Sequence, residues 1–228
     1  MKFFLFLLIL ISCSEKQSNY FPLDNINSWT YSVEIIPEVE NRILYKKTNT
    51  AIGKKKIIID NKEKKIFPIL REDATTFFYE ITDQGIYRKG VKYLKNNKIN
   101  LDDGRIVLPS DIKVNKTWSN DSKTFLILRR YPYYDYKATT NFKIDYKIVS
   151  LKETVKTPSG IFKDCILIKG EGQTNFIGDS EIGSIGIKIT SEEWYSKRVG
   201  LIKMVREEKT DTDLFGTTRM IQLLEDYN

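Results

Sequence analysis

From residue 20 onward, apolar positions recur with a period of two. In 141–148, Phe142, Ile144, Tyr146 and Ile148 fall on one face, while Asn141, Lys143, Asp145 and Lys147 fall on the other. That alternation belongs to a strand with one buried face in an antiparallel sheet. Runs rich in Val, Ile, Thr, Tyr and Phe return at 29–36, 56–60, 75–81, 124–129 and 185–190. Between the runs stand turn formers: Asp60-Asn61, Asp83-Gln84-Gly85, Asp102-Asp103-Gly104 and Pro158-Ser159-Gly160. No segment carries an amphipathic helical repeat, and no Pro/Gly/Ser-rich linker divides the chain. The pattern predicts one all-β domain over 20–228: about a dozen antiparallel strands in a curved sheet. A sheet of that size closes toward a barrel or folds onto itself as a β-sandwich.

The first nineteen residues follow a different pattern. Met1-Lys2 supplies a positive charge, and 3–11 is an unbroken apolar run. As a helix this run covers about 14 Å, roughly half of a ~30 Å hydrocarbon core, so it reads as a signal peptide over 1–12 and not as a membrane span. Leu10-Ile11-Ser12-Cys13 resembles the lipobox of bacterial lipoproteins. The resemblance implies cleavage after Ser12 and acylation of Cys13. Several acyl chains, each contributing about 0.8 kcal/mol per buried CH₂, anchor a protein stably where one chain does not. Residues 13–19 then form a lipidated N-terminus with a short polar tether of at most about 20 Å. Ser14 stands after the cysteine in place of aspartate, which in sorting signals of this kind implies the periplasmic face of the outer membrane.

The chain contains no histidine, which excludes Ser-His-Asp and Cys-His catalysis and histidine-containing metal sites. Cys13 and Cys165 are the only cysteines. A disulfide between them is compatible with an exported chain, but lipidation of Cys13 leaves Cys165 alone. The formal charge of +7, from lysines spread along the chain, favours anionic partners without choosing among them.

Four segments in order resemble the TapB-like family of bacterial lipoproteins and secreted proteins. They are Tyr20-Phe-Pro-Leu23 with Trp29-Thr-Tyr31; Leu108-Pro109 with Lys116-Thr-Trp118; the run 155–165 ending in Asp164-Cys165; and Glu193-Trp-Tyr195 with Val199-Gly-Leu-Ile-Lys203. Asn25-Ile26-Asn27-Ser28 departs from the glycine usual before the tryptophan. The resemblance implies a β domain whose motifs are turns and aromatic packing groups. It brings no reaction and no catalytic residues.

Several clusters carry possible chemistry. Cys165, in a strand-like run, reads as a buried small residue, with Lys163 and Lys169 as the neighbours available to activate a thiol. The adjacent acids Asp102-Asp103, Glu192-Glu193 and Glu207-Glu208 point to opposite strand faces, so none is a ready-made dyad. Asp179, Glu181, Asp211 and Asp213 match no calcium loop. The glycines from Gly170 to Gly186 lack the strand–turn–helix setting of a phosphate loop and suit a bulged strand or hairpin. Arg129, Arg130, Tyr131, Tyr133, Tyr134 and Tyr136 interleave charge with aromatic rings and form the candidate binding surface. Export argues against nucleic acid there and leaves a lipid, a glycan or another envelope protein as partner, or simply an aromatic-rich connection over the core. Lys54-Lys-Lys56 and Lys62-Glu-Lys-Lys65 flank Ile57-Ile-Ile59, either as edge-guarding lysines or as a patch for an anionic membrane.

These readings point to a lipid-anchored cell-envelope protein acting as a non-enzymatic binding or scaffolding module, with no cofactor and no metal. A carboxylate-dependent hydrolase acting on an envelope glycan or lipid is the alternative. The anchor has a direct test: mass spectrometry of membrane-extracted protein should find a diacylated Cys13 at the N-terminus, and Cys13→Ser should remove the modification and the cleavage after Ser12.

Overall fold

The alternation at 141–148 is realised as the start of a long strand in which Phe142, Ile144, Tyr146 and Ile148 are buried and their odd-numbered neighbours are exposed. The computed structural model describes residues 20–23, 28–59, 62–95, 99–130, 135–178 and 183–228. Cys13, the signal region and the tether lie outside the described residues. The strands are β1 (Ser28–Pro37), β2 (Ile43–Ala51), β3 (Lys55–Ile59), β4 (Lys62–Arg71), β5 (Thr76–Thr82), β6 (Gly85–Lys92), β7 (Asn100–Pro109) and β8 (Thr117–Lys123). They continue as β9 (Leu128–Arg130), β10 (Asp135–Lys137), β11 (Asn141–Thr157), β12 (Gly160–Ile177), β13 (Ser184–Ser196), β14 (Gly200–Thr210) and β15 (Thr217–Tyr227). The described residues hold no helix.

One sheet runs in the order β7-β6-β5-β4-β2-β1-β15-β14-β13-β12-β11-β8, every pair antiparallel, and among the described residues β3 pairs with β4 alone. β9 and β10 form a separate ribbon. The first and last strands of the large sheet, β7 and β8, come together and nearly close a barrel. The seam is made by a side chain: Asn120 accepts from Ile106 N at 2.8 Å and donates to Ile106 O at 2.9 Å. The amide thus takes the place of a missing backbone partner, and it is 5% exposed. An eight-stranded barrel is filled by its own side chains, whereas twelve strands in a ring enclose more space than their inward residues occupy.

The wall on the β11–β13 side is dense. Ile144, Ile148, Ile166, Ile168, Ile185, Ile187 and Ile189 pack into one apolar cluster. Gly170 and Gly172 of β12 let the β11 aromatics lie flat against its backbone: a Cβ at Gly170 would stand 2.7 Å from the Tyr146 ring, and one at Gly172 equally close to Phe142. The glycine-dense run is therefore a bed for rings, consistent with a strand and not with a phosphate loop. Beyond this region β11 and β12 shift register three times. Their tip returns to β15, where Ser159 Oγ donates to Leu224 O at 3.2 Å and Phe162 meets Tyr227.

The sheet differs from the sequence pattern at 124–129, which reads as one strand. Only Leu128–Arg130 is strand, and 124–127 forms a strap leaving the end of β8. Two backbone donors of the strap find a carboxylate in place of a neighbouring strand: Glu208 accepts from Phe125 N and Leu126 N at 3.2 and 3.0 Å.

Asn120→Ala removes both seam hydrogen bonds and strands two Ile106 backbone groups, a loss of about 2–4 kcal/mol on ordinary hydrogen-bond energetics. Urea denaturation should show the midpoint falling while the slope is kept. An unchanged midpoint contradicts the seam.

Candidate functional site

The interior of the barrel is a cavity of about 1230 Å³, larger than the ~300–1,000 Å³ usual for small-molecule sites. Its floor is built from the segments singled out as motifs. Phe21 packs against Tyr79 and Tyr195, with ring centroids 5.2 and 6.4 Å apart, and joins the two apolar clusters of the core. Trp29 Nε1 donates to Val199 O, and Tyr31 Oη donates to Leu201 O at 2.9 Å. The first and last motifs of the chain are thereby pinned together at one end of the barrel. The lining residues that stay exposed belong to the other end, where β2 begins, β6 finishes and β8 gives way to the strap. The aromatic ones are Tyr45, Tyr93 and Phe125, at 43%, 52% and 54% exposure, and they rim the mouth.

Cations dominate the charged groups between floor and mouth. Lys47, Arg71, Arg88, Arg105, Lys123, Lys143 and Arg206 line the cavity, against Asp121 and Glu193. Neighbouring strands place the arginines: Arg71 on β4, Arg88 on β6 and Arg105 on β7, with Arg88 directly opposite Arg105 in the ladder. Arg71 and Arg88 stand over the Phe77 ring, 5.9 and 5.0 Å from its centroid. Arg88 has no ion pair among the described residues, whereas Arg71 reaches Asp73 at 3.4 Å.

Arg105 donates to Tyr146 Oη at 2.7 Å, and the Tyr146 ring stacks on Trp118. Burial works against the Arg105 charge, but Tyr146, Glu193 and the other phenols around it outweigh burial and raise its pKa. Burial, with Glu193 adding to it, pushes Tyr146 up to about 12, so the phenol stays neutral at physiological pH. Glu193 accepts from Tyr195 Oη at 2.7 Å. Lys47 donates to Gln222 Oε1 at 3.0 Å, and burial, reinforced by Arg71, lowers its ammonium to about 8.

Among the described residues, three buried polar atoms of the lining have no hydrogen-bond partner: Arg71 Nε, Trp118 Nε1 and Asn49 Oδ1. Such groups are rare in folded proteins and expensive unless something polar meets them. Cationic donors, aromatic faces and unmet donors within one cavity suit an anionic amphiphile.

The remaining candidates fall elsewhere. Arg129 sits outside the cavity, reaching Val39 O at 3.4 Å and Glu40 at 3.5 Å. Tyr136 packs on Phe176 and Phe215. The Arg130 backbone stands opposite Asp135 in the β9–β10 ribbon, and Tyr131, Tyr133 and Tyr134 lie outside the described residues. Cys165 is fully buried, and burial pushes its thiol up to about 11, the reverse of an activated nucleophile. The adjacent acids do split between faces: Glu192 pairs with Lys169 at 2.7 Å outside while Glu193 faces the cavity. Glu208 is engaged by Arg206, whose Nε donates to it at 2.9 Å, and by the strap. Asp102 and Asp103 have no described side chains, and Asp179 and Glu181 lie outside the described residues. Asp211 accepts from Gly186 N at 2.9 Å, and no acidic or cysteine cluster among the described residues could hold a metal ion.

Sequence reasoning missed the arginine row because its members come from separate strands. One local signal was present: Arg88 stands two residues after Ile86, a buried position of β6.

The chain matches the DUF3108-like family over residues 36–218. It belongs to that family. No curated protein matches it. Among solved structures it is similar to a protein with a YmcC-like fold, assigned as exported, from Bacteroides fragilis: 12% identity, 90% of this chain, 97% of that one, TM-score 0.42. It is also similar to an assigned lipoprotein from Parabacteroides distasonis (14% identity, 92% and 98% covered, TM-score 0.40) and a LolA superfamily protein from Nitrosomonas europaea (7%, 93% and 89%, TM-score 0.29). Likenesses this distant carry no function across.

Lys47 gives the cavity a pH signature. The unfolded chain keeps the lysine proton up to about 10.5, while the folded chain releases it at about 8. Between those values the unfolded state binds more protons, so stability rises with pH; below about 8 the penalty is constant. Wild type should therefore gain stability relative to Lys47→Met as pH is raised from 8 toward 10, measured by urea denaturation at each pH. A flat difference contradicts the buried, charge-opposed lysine.

Proposed function

We propose that this DUF3108-like chain is a lipid-anchored cell-envelope protein, held by Cys13 at the periplasmic face of the outer membrane, whose barrel binds an anionic amphiphile without catalysis. The observation that carries this reading is the joint presence of Arg71, Arg88 and Arg105 with the unmet donors Arg71 Nε and Trp118 Nε1 in one cavity. The aromatic floor and Phe77 accept an apolar body, and the arginines accept a carboxylate or phosphate through charge-assisted hydrogen bonds. The four ordered segments support reading the chain as TapB-like, and the first and last of them supply Phe21, Trp29, Tyr31, Tyr195 and Leu201 to the cavity.

The test is titration of the purified protein with a dansylated fatty acid, followed by displacement with unlabelled fatty acid and with the matching alcohol. The acid should displace the probe and the alcohol should compete at least tenfold less well. Arg88→Met and Arg105→Met should each weaken binding by roughly 10–100-fold, the loss expected for a charged hydrogen bond of ~1.5–3 kcal/mol. Absence of binding, or equal competition by acid and alcohol, overturns the proposal.

A further inference from the structure

The lysine-rich hairpin is set apart from the barrel. β2 and β3 pair one after the other along β4, and the ladder passes through Ile52 N to Pro68 O at 2.9 Å. β1 reaches only as far as Ser28 opposite Thr50, so β3 continues past it with one edge unpaired in the sheet. Register fixes which end this is. β4 carries Arg71 into the cavity and runs from there, through Ile69 and Phe67, away from the mouth. The hairpin therefore projects from the floor end, the end at which Tyr20 and Pro22 lie against Gly200.

Its surface is unusual for an edge guard. Lys56 stands directly opposite Lys65 and Ile58 opposite Glu63, so these four side chains share one face. Like charges facing each other across a ladder are destabilising. Lys56 reaches Glu63 at 2.9 Å, while Lys54, Lys55 and Lys65 are also exposed. Ile58, on the lysine face, is 77% exposed. Lysines alone protect an edge, but they do not account for an isoleucine offered to solvent among them. An exposed aliphatic side chain flanked by ammonium groups matches the interface of an anionic bilayer, where Ile58 enters the acyl boundary and the cations meet headgroup phosphates.

We infer that the β3–β4 hairpin is a membrane-contact element that lays the floor end of the barrel on an anionic lipid surface, leaving the mouth directed away from it. The contact is separate from ligand uptake in the cavity and stands without it.

Hydrogen–deuterium exchange of the full-length protein tests this, comparing phosphatidylcholine vesicles with vesicles containing phosphatidylglycerol. The expected result is severalfold slower exchange in peptides spanning 54–66 with the anionic vesicles alone, lost at high salt and in Ile58→Asp, with no change at 91–95 beside the mouth. Protection confined to β6 and β7 reports lipid entering the cavity and overturns the hairpin contact while leaving the cavity reading intact. Equal protection at 54–66 by a soluble polyanion such as polyglutamate, or no protection there, also overturns it.

Discussion

Two hydrogen bonds from one amide decide whether this molecule is a container. Asn120 ties β8 to β7 through both polar groups of Ile106, turning a twelve-strand ribbon with two free edges into a nearly closed wall. Without the seam, the cations of the interior stand in open solvent and attract anions weakly. With it, they face a shielded space in which each charged hydrogen bond is stronger. The same ring size that requires closure also prevents the inward side chains from filling the interior.

The two ends of the barrel are made differently. At the floor, chain segments far apart in sequence lock onto one another: Trp29 on Val199, Tyr31 on Leu201 and Phe21 between Tyr79 and Tyr195. At the mouth, a strap replaces strand pairing and hangs on the buried pair Arg206–Glu208, at 2.8 Å, with the Arg206 guanidinium 4.5 Å from the centroid of the Phe125 ring. Removing either partner of such a pair leaves an uncompensated buried charge, so the strap depends on both. Rigid floor, fixed strap and aromatic rim together keep the cavity open to solvent at one end.

Much of the wall was legible in the sequence because strand alternation is local. Phe142 to Ile148 could be assigned to faces from their spacing alone, and the pairs Trp29/Tyr31 and Trp194/Tyr195 were readable as aromatic packing. The strap was not legible, since Phe125 and Leu126 look like strand residues until Glu208, more than eighty positions away, supplies their acceptor. Nor was the cavity. Arg88 and Arg105 become neighbours only through the β6–β7 register, and Arg71 joins them across Phe77. The aromatic–basic stretch from Arg129 to Tyr136 drew attention by composition, yet Arg129 and Tyr136 spend their side chains on Glu40, Phe176 and Phe215.

The chain's three tryptophans allow a direct measurement. Trp118 faces the cavity with its indole N–H unmet, Trp29 faces it with its N–H bound to Val199 O, and Trp194 lies under Lys203 without lining the cavity. Indole ¹⁵N–¹H spectra recorded while an alkyl phosphate is added should show a large downfield move of the Trp118 signal, a smaller change at Trp29 and none at Trp194. A Trp118 signal that stays in place at saturating ligand, or a change at Trp194 alone, contradicts the barrel as a binding container.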